Sequence, residues 1–189
     1  MSRRDRRPLI LEGDEGMPKR ALIVIDMLHD FIDKDGSLYV GPTADKIKPF
    51  IKEKIEKARE RGDLVIYLTD NHTPKDKEFE LFRKHAVKGT HGSKVIPELK
   101  PKPSDKVVPK RRFSGFYGTK LEQVLKENKV KEVTVTGVCT SICVMDTVGG
   151  LRDRDYQVTV YKKGVADFDQ KMHRMALDRM RKIYGTEVI

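Results

Sequence analysis

The chain has 189 residues, a formal charge of +10 and two cysteines, a length that suits one domain burying about two-thirds of its unfolded surface. No apolar run approaches the roughly 20 residues that span a bilayer. The cations are interleaved with acids, as in KEKIEKARERGD (52–63), rather than gathered with aromatics into a nucleic-acid surface.

Residues 1–19 read as a basic N-terminal extension. Its apolar stretch is only Pro8 to Leu11, so no cleaved leader is expected. Ala21–Ile25 (ALIVI) is a short continuous apolar run, the pattern of a strand buried on both faces. Thr43–Arg61 reads as a helix, because Ile47, Phe50, Ile51, Ile55 and Ala58 recur near helical spacing and Gly62 stops it. Leu64–Leu68 is the second strand. A polar, proline-containing connection from Thr69 to about Asp105 is long enough to signal a functional loop region, with a short helix near Ser93–Leu99. Val107–Val108 form a short strand and Tyr117–Asn128 a helix. Val133–Thr136 is an alternating β-branched strand, and Ile142–Arg154 the helix after it. Gln157–Tyr161 and Gln170–Tyr184 add a strand and a helix, and Glu187–Ile189 a last strand.

Strands alternating with helices predict the α/β class: a three-layer, doubly wound, mostly parallel sheet with helices on both faces, forming one domain over residues 20–189. Ligand sites in such sheets lie beyond the carboxyl ends of the strands. The first strand leads to Asp26, the second to Asp70 and His72, the third to Lys110, and the fourth to Cys139 and Cys143. Cys143 falls where a helix is expected to open. There the dipole and free N–H groups would lower a thiol pKa and could hold an oxyanion. A packed thiol and ordinary turn aspartates are the alternatives for each residue taken alone. Two thiols three residues apart cannot staple a fold, which fits a reducing cytoplasm. With two Asn and three Gln among abundant Lys, Arg and Glu, the composition matches adaptation to heat.

Five segments carry a family likeness: IDMLHDF (25–31), TDNH (69–72), HAVKGTHGS (85–93), KRRFSGFYGT (110–119) and GVCTSICVMDT (137–147). They resemble the isochorismatase-like cysteine hydrolases, and within them the nicotinamidases, over nearly the whole chain from Arg20. The resemblance implies the isochorismatase-like hydrolase fold and a triad of Asp26, Lys110 and Cys143. Cys143 would be the nucleophile, Asp26 the proton carrier and Lys110 the cation holding both. Backbone N–H groups of Cys139 and Cys143 would form the oxyanion hole, with a cis peptide at Val138–Cys139. For the Cys139 side chain, the residues leave packing, a nucleophilic role and a disulfide with Cys143 open; the family match puts the reactive thiol at Cys143.

The resemblance also implies a divalent metal, zinc first and iron or manganese as alternatives, on Asp70, His72 and His85. Glu78 is the best fourth ligand and Glu80 a weaker one. In the amidase branch that ion holds the pyridine nitrogen of nicotinamide. Phe31, Phe82, Phe113 and Tyr117 are the candidate pocket rings, whereas His29, His91 and His173 receive no chemical role. Leu28 and Asn71 depart from the family's usual Gln and Trp, which bears on substrate identity more than on hydrolysis. The expected function is hydrolysis of nicotinamide to nicotinate and ammonia through a thioester. The alternatives are a carbamoyl or ureido amidase, or a catalytically silent binding subunit. The expected setting is a cytoplasmic homodimer or homotetramer acting on a small amide, with no nucleic-acid or membrane partner.

Overall fold

Six strands form one all-parallel sheet: β1 (Lys19–Ile25), β2 (Leu64–Asp70), β3 (Lys106–Lys110), β4 (Val130–Val138), β5 (Gln157–Ala166) and β6 (Glu187–Val188), in the spatial order β3-β2-β1-β4-β5-β6. The computed structural model describes residues 19–189. The extension expected over residues 1–19 lies outside them except for Lys19, which already belongs to β1. Among the described residues, five α-helices complete the fold: α1 (His29–Ile32), α2 (Pro42–Glu60), α3 (Leu121–Glu127), α4 (Met145–Arg152) and α5 (Gln170–Lys182).

The two sheet faces carry separate apolar clusters. On one face α2 contributes Ala44, Ile47, Ile51, Ile55 and Ala58, packed on Leu22, Val24, Val65 and Tyr67. On the other, Leu121, Leu125, Val148, Leu151, Leu177 and Met180 cover Ile23, Ile25, Ile66, Val133 and Val135. Alternate residues of β1 thus feed opposite layers, which is why its sequence is apolar throughout. Each fully buried aliphatic side chain contributes about 1.5–3 kcal/mol. The long helix α2 starts on Pro42, whose fixed φ suits the first turn.

Several expectations shift in detail. The helix expected near Ser93–Leu99 is only a 3₁₀ turn, Pro97–Leu99. The prolines at 97 and 101 leave no run of N–H donors to propagate it. The helix expected from Tyr117 starts at Leu121, because Gly118 adopts a left-handed φ of 64°. The helix expected over Ile142–Arg154 is divided into a π turn (Thr140–Val144) followed by α4. The short α1 escaped the periodicity reading because four residues are too few to repeat.

The strand order reverses between β1 and β4, and a ligand crevice forms at such a switch point. At Gly137 these two strands approach closely. It pairs with Ile25 at a φ of 115°, and a Cβ there would lie 2.0 Å from the Ile25 carbonyl oxygen. The chain then leaves β1 through Asp26 and β4 through Cys139, side by side.

Candidate active site

Lys110 emerges from β3 with its ammonium fully buried between two carboxylates and a thiol. Its Nζ lies 2.7 Å from Asp26 Oδ2, 2.6 Å from Asp70 Oδ1 and 3.3 Å from Cys143 Sγ. Asp26 Oδ1 accepts the Asp70 backbone N–H at 2.8 Å, and one polar atom each of Asp26, Asp70 and Cys143 falls within 4.8 Å of the others. Asp26 holds a left-handed φ of 52°. Such a conformation is costly for a residue with a Cβ and persists where the surroundings fix it.

Burial and the Asp70 charge push the Asp26 carboxyl up to about 6, against the pull of Lys110. Burial also opposes ionisation of Asp70, but Lys110, His72 and His85 outweigh it and hold this carboxyl well below the usual range. Lys110 stays firmly cationic: Asp26 and Asp70 overcome its desolvation. The thiol departs from expectation. Burial drives Cys143 well above the ordinary cysteine value, with Lys110 only partly compensating. The lowered pKa expected from a helix N-terminus is therefore corrected. Cys143 sits inside a π turn beneath an apolar layer, not on an open first helical turn.

A second group adjoins the first through Asp70. One ligand atom each of Asp70, His72, Glu78 and His85 falls within 4.8 Å of the rest, and all four residues are buried. His72 Nε2 stands 3.5 Å from Asp70 Oδ2 and 3.7 Å from Glu78 Oε1, and His85 Nε2 is 3.8 Å from both carboxylates. These edges are close to the roughly 3.4 Å separating ligands around a tetrahedral ion. Backbone pairing explains how distant residues meet. His72 N–H donates to the Ala86 carbonyl and Lys88 N–H to the His72 carbonyl, which stitches the His85 loop to the end of β2. Asp30 clamps the same loop by accepting the Ala86 N–H at 2.7 Å. His85 Nδ1 donates to the Arg83 carbonyl at 2.6 Å, leaving Nε2 as the free lone pair.

Nε2 of His72 and Oε2 of Glu78 are buried without a hydrogen bond. Unsatisfied polar atoms converging at this spacing are what a cation would satisfy. The mixed carboxylate and imidazole donors suit zinc, iron or manganese. Phe31, Phe79 and Phe82 wall the imidazoles off from water. Glu80, the weaker fourth candidate, is not in the group.

Both groups open on one narrow cavity. Asp26, Asp70, Glu78, His85, Cys139 and Cys143 supply its polar lining, and Phe31, Phe82 and Phe113 are among its apolar walls. Tyr117 is not brought there. It is 70 % exposed, because the turn after Phe116 points it away from the sheet edge. Leu38, Ile142 and Phe168 line the cavity without having been singled out in the sequence. Phe168 follows the true end of β5 at Ala166, so the strand-end rule finds it once β5 is given its full length. The peptide bond Val138–Cys139 is cis, and both cysteines are free thiols. His29, His91 and Asp33 gather at the surface, where His29 Nδ1 pairs with Asp33 Oδ2 at 2.6 Å and its ring stacks on His91 at 3.8 Å. That pairing occupies His29 Nδ1 and Asp33 Oδ2. His173 Nδ1 lies 2.8 Å from Thr140 Oγ1, bracing the π turn from α5.

Residues 20–189 match the isochorismatase domain family. The chain belongs to this family. Among solved relatives, the nicotinamidase/pyrazinamidase of Bacillus subtilis superposes with a TM-score of 0.86 at 32 % identity, covering 90 % of this chain and 98 % of that one. An N-carbamoylsarcosine amidase from Thermoplasma acidophilum gives 0.82 at 36 % identity, with 90 % and 95 % covered. A pyrazinamidase of Pyrococcus horikoshii in complex with zinc gives 0.86 at 29 % identity, with 91 % and 99 % covered. This isochorismatase-family chain therefore shares the α/β architecture of several amidohydrolases, one of which was solved with zinc bound.

Proposed function

We propose that this protein is a metal-dependent cysteine amidohydrolase that converts nicotinamide to nicotinate and ammonia. One observation carries the choice of substrate: Asp70, Glu78 and His85 of the ligand group and the Cys143 thiol open on the same aromatic-walled cavity. A flat heteroaromatic amide fits that pairing, with its ring nitrogen toward the ligand group and its carboxamide toward the thiol. Asp70, His72, Glu78 and His85 would hold the ion, zinc by preference. When bound, it supplies a Lewis-acid anchor for the ring nitrogen.

Catalysis is assigned to the chain's own groups. Asp26 takes the Cys143 proton as sulfur attacks the carboxamide carbon, and the Lys110 ammonium stabilises the sulfur's developing negative charge. The backbone N–H groups of Cys139 and Cys143 receive the oxyanion. Asp26 returns the proton to the departing nitrogen, releasing ammonia and leaving a thioester. It then deprotonates a water that attacks the thioester carbon. Cleavage of the C–S bond frees nicotinate and restores the thiol with that proton. The Asp26 value near 6 suits a group that accepts and donates in one cycle.

The finer setting belongs to the same reading: a homodimer or homotetramer in the cytoplasm, recycling nicotinamide toward NAD in an organism adapted to heat, without nucleic-acid or membrane partners. The free thiols support a reducing compartment, and among the described residues no helix is long and apolar enough to cross a membrane. The domain is assigned to residues 20–189. A second reading, hydrolysis of an N-carbamoyl or ureido amide, is favoured by the 36 % identity to the carbamoylsarcosine amidase. Comparing kcat/KM of zinc-loaded protein on nicotinamide, pyrazinamide and N-carbamoylsarcosine separates the two. A preference of at least tenfold for the heteroaromatic amides supports the first reading, and the reverse order replaces it with the second.

A further inference from the structure

Asp76 has no part in the chemistry above, yet its side chain is only 3 % exposed and lies at the back of the ligand group. Its Oδ1 accepts the Glu78 backbone N–H at 3.1 Å and an Arg112 N–H at 2.8 Å. Its Oδ2 faces Nδ1 of His72 at 3.3 Å. The opposite nitrogen of that ring, Nε2, points at Asp70 and Glu78. A neutral imidazole carries one ring proton, so it can offer Nε2 as a ligand only when the proton sits on Nδ1. For His85 the Arg83 carbonyl imposes that choice. Nδ1 of His72 makes no hydrogen bond of standard geometry among the described residues, and the group facing it is Asp76 Oδ2, an acceptor 3.3 Å away.

We propose that Asp76 is a positioning residue that fixes the His72 tautomer, holding the proton on Nδ1 so that the Nε2 lone pair faces Asp70, Glu78 and His85. The inference rests on the metal-dependent reading above and deepens it. It adds a carboxylate behind the imidazole, a partner that typically changes metal affinity 10- to 100-fold when removed. Arg112, two residues beyond Lys110, ties this carboxylate to the loop that follows the lysine at the end of β3.

The arrangement makes Asp76→Asn an informative change. Two donors already converge on Oδ1, so the amide oxygen must take that position and keep the cap on Glu78. The amide NH₂ then faces His72 Nδ1, a donor against a donor, which favours the opposite tautomer and withdraws Nε2 as a ligand. The shape of the side chain is retained.

The test titrates chelator-stripped full-length protein with zinc in competition with a chromogenic chelator, for wild type, Asp76→Asn and Arg112→Met. The visible spectrum of each cobalt(II) form provides a second readout. Asp76→Asn should bind zinc 10- to 100-fold more weakly and alter the cobalt spectrum, while its zinc-free thermal midpoint matches wild type. Arg112→Met, which keeps the acceptor, should lose less than tenfold. Tight zinc binding by wild type and Asp76→Asn alike, with the same cobalt spectrum, overturns the tautomer role and leaves the metal reading intact. Equal losses in both variants assign the effect to the loop contact and also overturn it. A wild type that takes up no zinc overturns this inference together with the metal-dependent reading.

Discussion

Lys110 is the residue on which the site's electrostatics turn, because its single positive charge is shared by two buried carboxylates that lie against each other. Removing it leaves Asp26 and Asp70 uncompensated in a medium that solvates charge poorly. Breaking a buried pair from one side costs about 3–5 kcal/mol. Lys110→Met should lower stability by that amount and abolish turnover, as read from the denaturant midpoint and from ammonia release. A variant as stable as wild type would contradict the placement of the ammonium. Asp26 gives a pH prediction whose sign is fixed by its role. It must be ionised to accept the thiol proton, and its carboxyl is raised to about 6 by burial and by Asp70, against Lys110. With zinc saturating, kcat/KM should climb about tenfold per pH unit on the acid side and level off once Asp26 is ionised. A profile with no acid limb, together with activity that survives Asp26→Asn, would remove Asp26 as the base. The sequence suggested a thiolate at Cys143, but burial raises this thiol instead, and burial of that kind is set by helices far away in the chain. Activation therefore rests on Asp26 and Lys110 acting at the moment of attack.

At the scale of elements, β1 and β4 approach so closely at Gly137 that one methyl group tests the arrangement. Gly137→Ala places a Cβ 2.0 Å from the Ile25 oxygen at a φ of 115°, prying apart the strands that deliver Asp26 and Cys139. It should yield little folded protein by circular dichroism. Gly149 in α4 is the contrasting case. A Cβ there would meet only the Tyr184 ring, at 3.4–3.5 Å, so Gly149→Ala should gain up to about 1 kcal/mol of helix stability, measured by denaturant unfolding. A destabilised Gly149→Ala would show the Tyr184 ring unable to give. The strands were legible in the sequence because a strand buried on both faces reads as an unbroken apolar run, as in ALIVI and LVIYL. Their carboxyl ends then pointed to Asp26, Asp70, Lys110 and Cys143. The split between the π turn and α4 was not legible, because a π turn changes hydrogen-bond partners without changing the apolar pattern.

Across the whole molecule, the ligand group ties the end of β2, the Glu78 turn and the His85 loop to one point. Stripping the ion should lower the thermal midpoint as well as activity. Zinc held at 100 times its Kd adds about 2.7 kcal/mol, or about 5–10 °C for a chain of this size. A midpoint indifferent to chelator would speak against the ligand group. Here the sequence reached the members of the group through Asp70, His72 and His85, but not the residues behind them. Asp76 meets His72 across a local turn whose shape the apolar pattern does not reveal, and Leu38 and Phe168 meet the cavity only after the chain has folded back across the sheet. Tyr117 was read toward the cavity and stands outside it for the same reason: proximity to Lys110 in sequence does not fix the direction of a turn. The family likeness supplied roles, and the geometry supplied their surroundings.

The measurement that bears most directly on the central proposal is ammonia release from nicotinamide by zinc-loaded wild type and by Cys143→Ala. Wild type should release ammonia steadily, and the variant should lose at least 10³-fold, as expected when a covalent nucleophile is removed. Release that survives in Cys143→Ala would remove the thiol from the chemistry. A zinc-bound wild type that leaves nicotinamide untouched would rule it out as the substrate.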